Sequence, residues 1–279
     1  MSSRPGLPTR LGNSVSFSIV RNLFVLAALT LVAACYNPEA PREGRVKKVR
    51  AADIVEGYGI VEDNGYMLPH IDRKYLVEPN RRAVVPYNGS ERAGTIVVDP
   101  FAKFLYYVQG DGNAIRYPIA VGREGRGFRG SATIQRKEVW PGWTPTANML
   151  RSEPEIYGPF RGGVPGGLSS PLGARSLYLY RGGADTRYRI HGTNDLESIG
   201  RKSSAGCIRM FNQDIIELYN LVDYGTTVRV RTLEESIALE GPELAARNDE
   251  LGELPPAMPV LQPDGTYMVV RNLLPIGKL

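Results

Sequence analysis

The sequence predicts a mainly β protein with a β-sandwich-like body, and three observations carry that expectation. Short runs rich in β-branched and aromatic residues recur from Thr95 onward, glycine-bearing turns separate them, and one helix is well marked among them. The runs are Thr95–Val98, Phe104–Val108 and Ala114–Tyr117, with Gly110-Asp111-Gly112 read as the hairpin turn between the last two. Ser131–Ile134 continues the pattern. Ser176–Tyr180 and Thr186–Ile190 form a second pair joined through Arg181-Gly182-Gly183, and Thr226–Val230 is read as the closing strand. In the helix, Asn212 is the expected N-cap and Asp214 sits in the first turn. Ile215, Leu218, Tyr219 and Val222 fall on one face before Gly225.

Composition sets the frame for these elements. With 279 residues, 42% apolar and 23% charged, the chain has the make-up of an ordinary globular protein with room for one good core. Its net charge of +5 is mild, and part of it lies near the N-terminus, in Arg42, Arg45, Lys47, Lys48 and Arg50. A basic domain with stacking aromatics is missing, which argues against a nucleic-acid partner. With two histidines and two cysteines in the whole chain, no metal site and no cofactor are expected.

One of each sits in a short central segment. Ile190-His191-Gly192-Thr193-Asn194 is followed by Ser204-Ala205-Gly206-Cys207-Ile208-Arg209-Met210. A thiol is mostly protonated at neutral pH and needs an imidazole or an electropositive setting to attack a carbonyl. The sixteen-residue separation excludes a shared helical face and suits a histidine at a strand end facing a cysteine in a returning loop. Gly206, with Ser203, Ser204 and Ala205 before it, lets backbone N–H groups come close to a ligand, as an oxyanion hole requires. Arg209 offers a planar fork suited to a carboxylate. The dipole of the helix that follows is expected to lower the thiol pKa if its N-terminus turns toward the sulfur.

These two segments resemble the signature of the YkuD-type L,D-transpeptidases, which remodel bacterial peptidoglycan, over roughly residues 93–231. The resemblance implies a β-sandwich-like catalytic domain, Cys207 as the acylated nucleophile and His191 as its proton donor and acceptor, oriented by a backbone carbonyl. Gly206 is the expected backbone oxyanion-hole residue, and Arg209, Ser204 and Gly192 are the candidates for binding a stem peptide. The family pattern usually reads S-H-G-C, and Ala205 stands where its second histidine would be. The implied donor is a tetrapeptide stem that loses a terminal D-Ala, and the implied acceptor is a neighbouring stem's side-chain amine, giving 3→3 cross-links. Water as acceptor would make a carboxypeptidase or endopeptidase, and a protein lysine would anchor lipoproteins to the wall. A wall-binding lipoprotein without activity is the reading from another class, and the intact Cys/His pair argues against it.

The N-terminus indicates the compartment. Arg4, Arg10 and Arg21 precede an apolar run from Leu23 to Ala34 that ends at Cys35. About twelve apolar residues are too few to span a bilayer, so residues 1–34 read as a secretory signal. Small residues before Cys35 resemble a bacterial lipobox, with Cys35 lipidated, and Tyr36 after it favours the outer membrane over the inner in the periplasm. An ordinary signal peptide with an incidental Cys35 is the alternative. If Cys35 is lipidated, Cys207 is the single thiol left and no intrachain disulfide is possible.

The remaining stretches complete the expected organisation. Residues 35–92 read as a tether and a lead-in that drapes on the domain, residues 93–231 as the catalytic domain, and residues 232–279 as an acidic, proline-containing tail with a short peripheral helix. His70 is read as structural. Gly125-x-Gly127-x-x-Gly130 spells a dinucleotide-binding string, but a strand follows where a helix would be needed. Arg123, Arg126 and Arg129 either guide an anionic stem or face solvent. Trp140, Trp143 and Gly162–Gly167 are read as loops framing a cleft, the tryptophans as ligand contacts or as anchors.

Overall fold

The computed structural model describes residues 55–122, 127–203, 207–261 and 267–271. The lead-in opens with a hairpin, β1 (Val61–Asp63) and β2 (Tyr66–Leu68), and then contributes β3 (Ala83–Pro86). The three expected runs become an antiparallel meander of β4 (Ile96–Asp99), β5 (Phe104–Val108) and β6 (Asn113–Pro118). β7 (Ala120–Gly122) and the long β8 (Gly130–Val139) follow, so the glycine string does run into a strand. Two short helices, α1 (Ala147–Ser152) and α2 (Pro154–Tyr157), precede the second expected hairpin, β9 (Arg175–Arg181) with β10 (Ala184–Thr193). Next come β11 (Lys202–Ser203), β12 (Ile208–Phe211), helix α3 (Asn212–Leu221) and β13 (Thr227–Val230).

Twelve strands hydrogen-bond into one sheet in the order β14-β11-β7-β12-β10-β9-β8-β13-β4-β5-β6-β3, where β14 is Glu253–Leu254. The protein is mainly β, as expected. The sandwich-like core arises because this single sheet curls on itself. Ile96, Leu105 and Tyr117 from the meander share one buried cluster with Ile134, Leu177, Ile190 and Ile208 from the other half. Ile215 and Leu218 of α3, with Val222 just past its end, fill the same cluster, at the helical spacing read from the sequence. Burying each such side chain stabilises the fold by about 1.5–3 kcal/mol, so α3 is held mainly by this face.

Two expectations change. β13 does not close the sheet. It lies between β8 and β4, antiparallel to one and parallel to the other, and so joins the two halves. The described residues past 232 also carry more than one short helix. Helix α4 (Leu233–Glu240) starts with a capping box between Thr232 and Glu235, α5 (Pro242–Ala245) follows, and β14 adds an outer strand to the sheet. Leu244 packs on a second cluster containing Val97, Phe104 and Tyr106, so this segment covers the outer face of the meander. The proline-containing stretch forms a further hairpin, β15 (Ala257–Leu261) with β16 (Tyr267–Arg271).

The lead-in is fastened to the sheet by specific contacts. Asp63 pairs with both terminal nitrogens of Arg175 at 2.6 and 2.7 Å, and its carbonyl accepts the Trp140 indole N–H at 3.1 Å. Trp140 is buried against Tyr66, which selects the anchor reading for that tryptophan. Trp143 lies against Tyr157 and Phe160 and bridges to Val164, so the two loops brace each other.

Candidate active site

β10 and β12 run parallel, with Ile190 opposite Ile208 and His191 opposite Arg209. Both isoleucines point into the core, and alternation along a strand therefore puts His191 and Arg209 on the opposite face. Cys207 lies two residues before Arg209 and takes the same parity. The sheet register thus brings the imidazole, the thiol and the arginine to one face. His191 is 3% exposed, while Cys207 is only partly buried.

The imidazole has a defined state. Its Nδ1 lies 2.7 Å from the Gly192 carbonyl oxygen, which can only accept, so Nδ1 carries the proton and Nε2 keeps its lone pair. Burial, and next the positive charge of Arg209, push the His191 pKa down to about 3, against the opposing pull of the Gly192 carbonyl; Arg189 adds to the lowering. The ring is therefore neutral at physiological pH.

Cys207 is held on two sides. Its carbonyl accepts the Gly122 N–H at 2.9 Å, which ties it to β7. Its thiol donates to the Arg187 carbonyl at 3.7 Å. Arg187 sits in the left-handed region, with φ 64°, inside an irregularity of β10 between Asp185 and Arg189. Bulges of this kind re-aim groups next to sites. Nothing in the uniform β pattern of Thr186–Ile190 signalled it.

The helix dipole does not reach the sulfur. Ile208–Phe211 form β12, so the four residues between Cys207 and α3 span about 13 Å at 3.3 Å each, beyond the range of a helix end. Phe211 occupies the N-cap position and Asn212 is the first helical residue. The Asn212 side chain instead binds the strands that carry the site. Its Oδ1 accepts the Ala174 N–H at 2.9 Å and its Nδ2 donates to the Thr193 carbonyl at 3.2 Å.

Arg209 is buried and paired with Asp195 at 3.2 Å. Asp195 was not singled out from the sequence, although it lies four residues past His191. Gly192, named as a substrate contact, is buried where a Cβ would stand 2.2 Å from Asn212 Oδ1 and 3.2 Å from the Gly173 Cα, so close packing alone demands glycine there. Asn194 donates to the carbonyls of Leu168 and Ser170 at 2.5 and 3.2 Å and pins the end of the glycine-rich loop. Ser204, Ala205 and Gly206 lie outside the described residues, as do Arg123, Arg126 and the lipidation candidate Cys35. His70, partly buried, belongs to the lead-in.

The family model described as the YkuD L,D-transpeptidase catalytic domain matches residues 93–230. A putative L,D-transpeptidase in the ATP synthase subunits region of Fuscovulum blasticum is 37% identical over 139 residues, covering 48% of this chain and 68% of that protein. The probable L,D-transpeptidase ErfK/SrfK of Escherichia coli K12 is 37% identical over 138 residues. The match covers 48% of this chain but 43% of that relative, so the chain spans less than half of its length. Among solved structures, a probable carnitine operon oxidoreductase caia from Brucella melitensis is 46% identical, covering 55% of this chain and 95% of that one, with a TM-score of 0.39. The crystal structure of L,D-transpeptidase 3 from Mycobacterium tuberculosis is 17% identical, covering 50% and 60%, with a TM-score of 0.37. Identity of 37% across two thirds of the Fuscovulum blasticum protein, together with the family match, places the chain: it belongs to the YkuD family of L,D-transpeptidase catalytic domains.

Proposed function

We propose that this chain is a cysteine-dependent L,D-transpeptidase that acts on peptidoglycan stem peptides through an acyl-enzyme at Cys207. The observation that carries this reading is the state of His191. Its proton is fixed on Nδ1 by the Gly192 carbonyl, and the neutral ring keeps its Nε2 lone pair on the face it shares with Cys207. A base of this kind must accept a proton before it can give one back.

Because the ring is buried and resists protonation, the proton transfers as the thiol attacks instead of resting beforehand in a thiolate–imidazolium pair. The sulfur bonds to the stem carbonyl carbon, and His191 Nε2 takes the thiol proton. Backbone amides about Gly206 and Cys207 are proposed to hold the oxyanion. The C–N bond then breaks, the departing amine receives the proton from Nε2, and a thioester remains. An incoming amine attacks the thioester, surrenders a proton to Nε2, and the C–S bond breaks as the thiol is restored. The donor is a tetrapeptide stem that loses a terminal D-Ala, and the acceptor is the side-chain amine of a neighbouring stem, giving a 3→3 cross-link. Ser204 and Arg209 are proposed to contact the stem, Arg209 while paired to Asp195. The compartment is the periplasm, with the chain held at the outer membrane by a lipid on Cys35. Metabolic labelling with a fatty acid tests the last point: label lost in Cys35→Ser supports it, and unlabelled protein ends it.

Incubation of the full chain with a carbapenem, followed by intact mass, tests the chemistry. One adduct per chain that disappears in Cys207→Ala supports the acyl-enzyme. No adduct on folded protein overturns it and favours a wall-binding lipoprotein. Product analysis with purified muropeptides then separates the acceptors, since water gives a shortened stem, a stem amine gives a dimer, and a lipoprotein lysine gives a protein–peptide conjugate.

A further inference from the structure

The segment just upstream of Cys207 is built unlike the segment downstream of it. β11 is only Lys202–Ser203, and it pairs in parallel with Val121–Gly122 of β7 on one side and with Glu253–Leu254 of β14 on the other. β12 lies on the opposite side of β7. Ser203 and Cys207 therefore stand on opposite flanks of β7, Ser203 paired with Gly122 on one side and Cys207 entering β12 on the other. The β12 side is rooted in the core. The β11 side pairs with β7 on one edge, and its other edge is held by residues that lie outside the matched family region, 93–230.

The contacts on that side are specific. Asn248 Nδ2 donates to the Gly200 carbonyl at 2.9 Å, and the Arg201 guanidinium donates to the Leu251 carbonyl at 3.0 Å. Asp249 pairs at 2.8 Å with Lys202 and at 2.8 Å with Lys103, whose side chain is fully buried. From the lead-in, Asn80 Nδ2 donates to the Ile199 carbonyl at 3.2 Å. Without these partners, a two-residue strand would be left as an open sheet edge.

We infer that Asn248, Asp249 and the β14 strand form a clasp that positions Cys207, through its grip on residues 200–203, from outside the matched family region, an inference that rests on Cys207 being the nucleophile. These are positioning residues. They grip positions 200–203, and a displacement of about 1 Å at a reacting atom costs on the order of a hundredfold in rate. Lys103 is what makes Asp249 a fixed post. It ties the clasp to the meander, so force on β11 is borne by the core.

Lys202→Met in the full chain removes the Asp249 contact to β11 and leaves the Asp249–Lys103 pair intact, with Lys202→Arg as the conservative rescue. Asn248→Ala is the second, independent cut. Three quantities are read: the rate of carbapenem acylation, the rate and pH profile of iodoacetamide alkylation at the Cys207-bearing peptide, and the thermal unfolding midpoint. Acylation slowed at least tenfold in Lys202→Met, an alkylation profile displaced from that of the unsubstituted chain, and recovery in Lys202→Arg are expected. Acylation within twofold and an unchanged alkylation profile, with a lowered midpoint, would overturn the inference and leave the clasp a structural feature. If the unsubstituted chain itself takes no carbapenem, the acyl-enzyme reading fails separately, and the alkylation profile still decides whether the clasp governs the thiol.

Discussion

The two flanks of Cys207 solve the same problem in different ways. Downstream, Ile208 and Met210 are buried in the main cluster, β12 runs beside β10, and α3 closes over both. Asn212 stitches that helix to Ala174 and Thr193. Upstream, a two-residue strand borrows its hold from Asn80, Asn248, Asp249 and β14. His191 sits on the rooted side and Cys207 at the junction. The proposed catalytic pair would thus combine a fixed imidazole with a thiol whose approach depends on parts of the chain far away in sequence. Precision on one flank thus comes from packing, and on the other from a handful of polar contacts.

The largest effects should come from the rooted flank. Cys207→Ala abolishes acylation, and His191→Gln is expected to slow it by about 10²–10⁴, the usual contribution of a positioned general base. Carbapenem acylation followed by intact mass measures both. A His191→Gln rate within threefold of the unsubstituted chain would mean that the imidazole is not the base. Gly192→Ala should be nearly as damaging for a different reason. Its new methyl meets Asn212 Oδ1 at 2.2 Å and the Ala174 nitrogen at 3.0 Å, both fixed by the hydrogen bond between them. A loss of about 3 kcal/mol in urea unfolding is expected, at the upper end of the usual range for overpacked cores. Full stability would show that the two flanks do not differ in rigidity.

Acid provides the next test, because the rooted flank buries two titrating groups whose responses oppose each other. The folded His191 pKa of about 3 lies below the ordinary 6.5, chiefly through burial, so the unfolded chain takes up a proton first. Its contribution is complete above pH 6.5 and is lost as pH falls toward 3. Asp214 is fully buried beside Tyr58 and Arg82, and burial raises its pKa to about 7 from 3.8. Here the folded chain takes up the proton first, so stability is complete below pH 3.8 and is lost as pH rises toward 7. Between 3.8 and 6.5 the two slopes, each about 1.4 kcal/mol per pH unit, cancel. Asp214→Asn should unmask a steep acid loss, and His191→Gln the reverse, in urea unfolding followed from pH 4 to pH 7. Parallel curves in all three proteins would dispose of the opposition.

The rooted flank is also what the amino-acid sequence made legible. Ile190 ends a strand-like run and the α3 face repeats every 3.6 residues, and the two segments around His191 and Cys207 are each contiguous. The borrowed flank was not legible. β7, β11 and β14 are two or three residues long, too short to show a period, and their pairing joins residues near 121, 202 and 253. Asp249 looks in sequence like one more acid in an acidic tail. Only its two lysine partners reveal it as a post. The dipole expectation failed for a related reason. The stretch Ile208–Phe211 was not assigned as a strand, and it carries the helix end away from the thiol.

The smallest effect separates clasp from tail. Thr232 accepts the Glu235 N–H at 3.3 Å and its own N–H donates to the Glu235 carboxylate at 2.9 Å, the capping box that starts α4. Thr232→Ala should cost about 1 kcal/mol, the ordinary worth of such a cap, and should lower the thermal midpoint by a few degrees. The contacts of α4 run elsewhere, with Glu240 bound to Arg231 and to Tyr106, and Ser236 bound to Asp99. Loosening α4 therefore weakens the C-terminal segment without touching residues 200–203, and acylation of Cys207 should stay within twofold. Slowing comparable to that of Lys202→Met would mean that any weakening of this segment reaches the thiol, and the distinction between a specific clasp and a generally stabilising tail would fall.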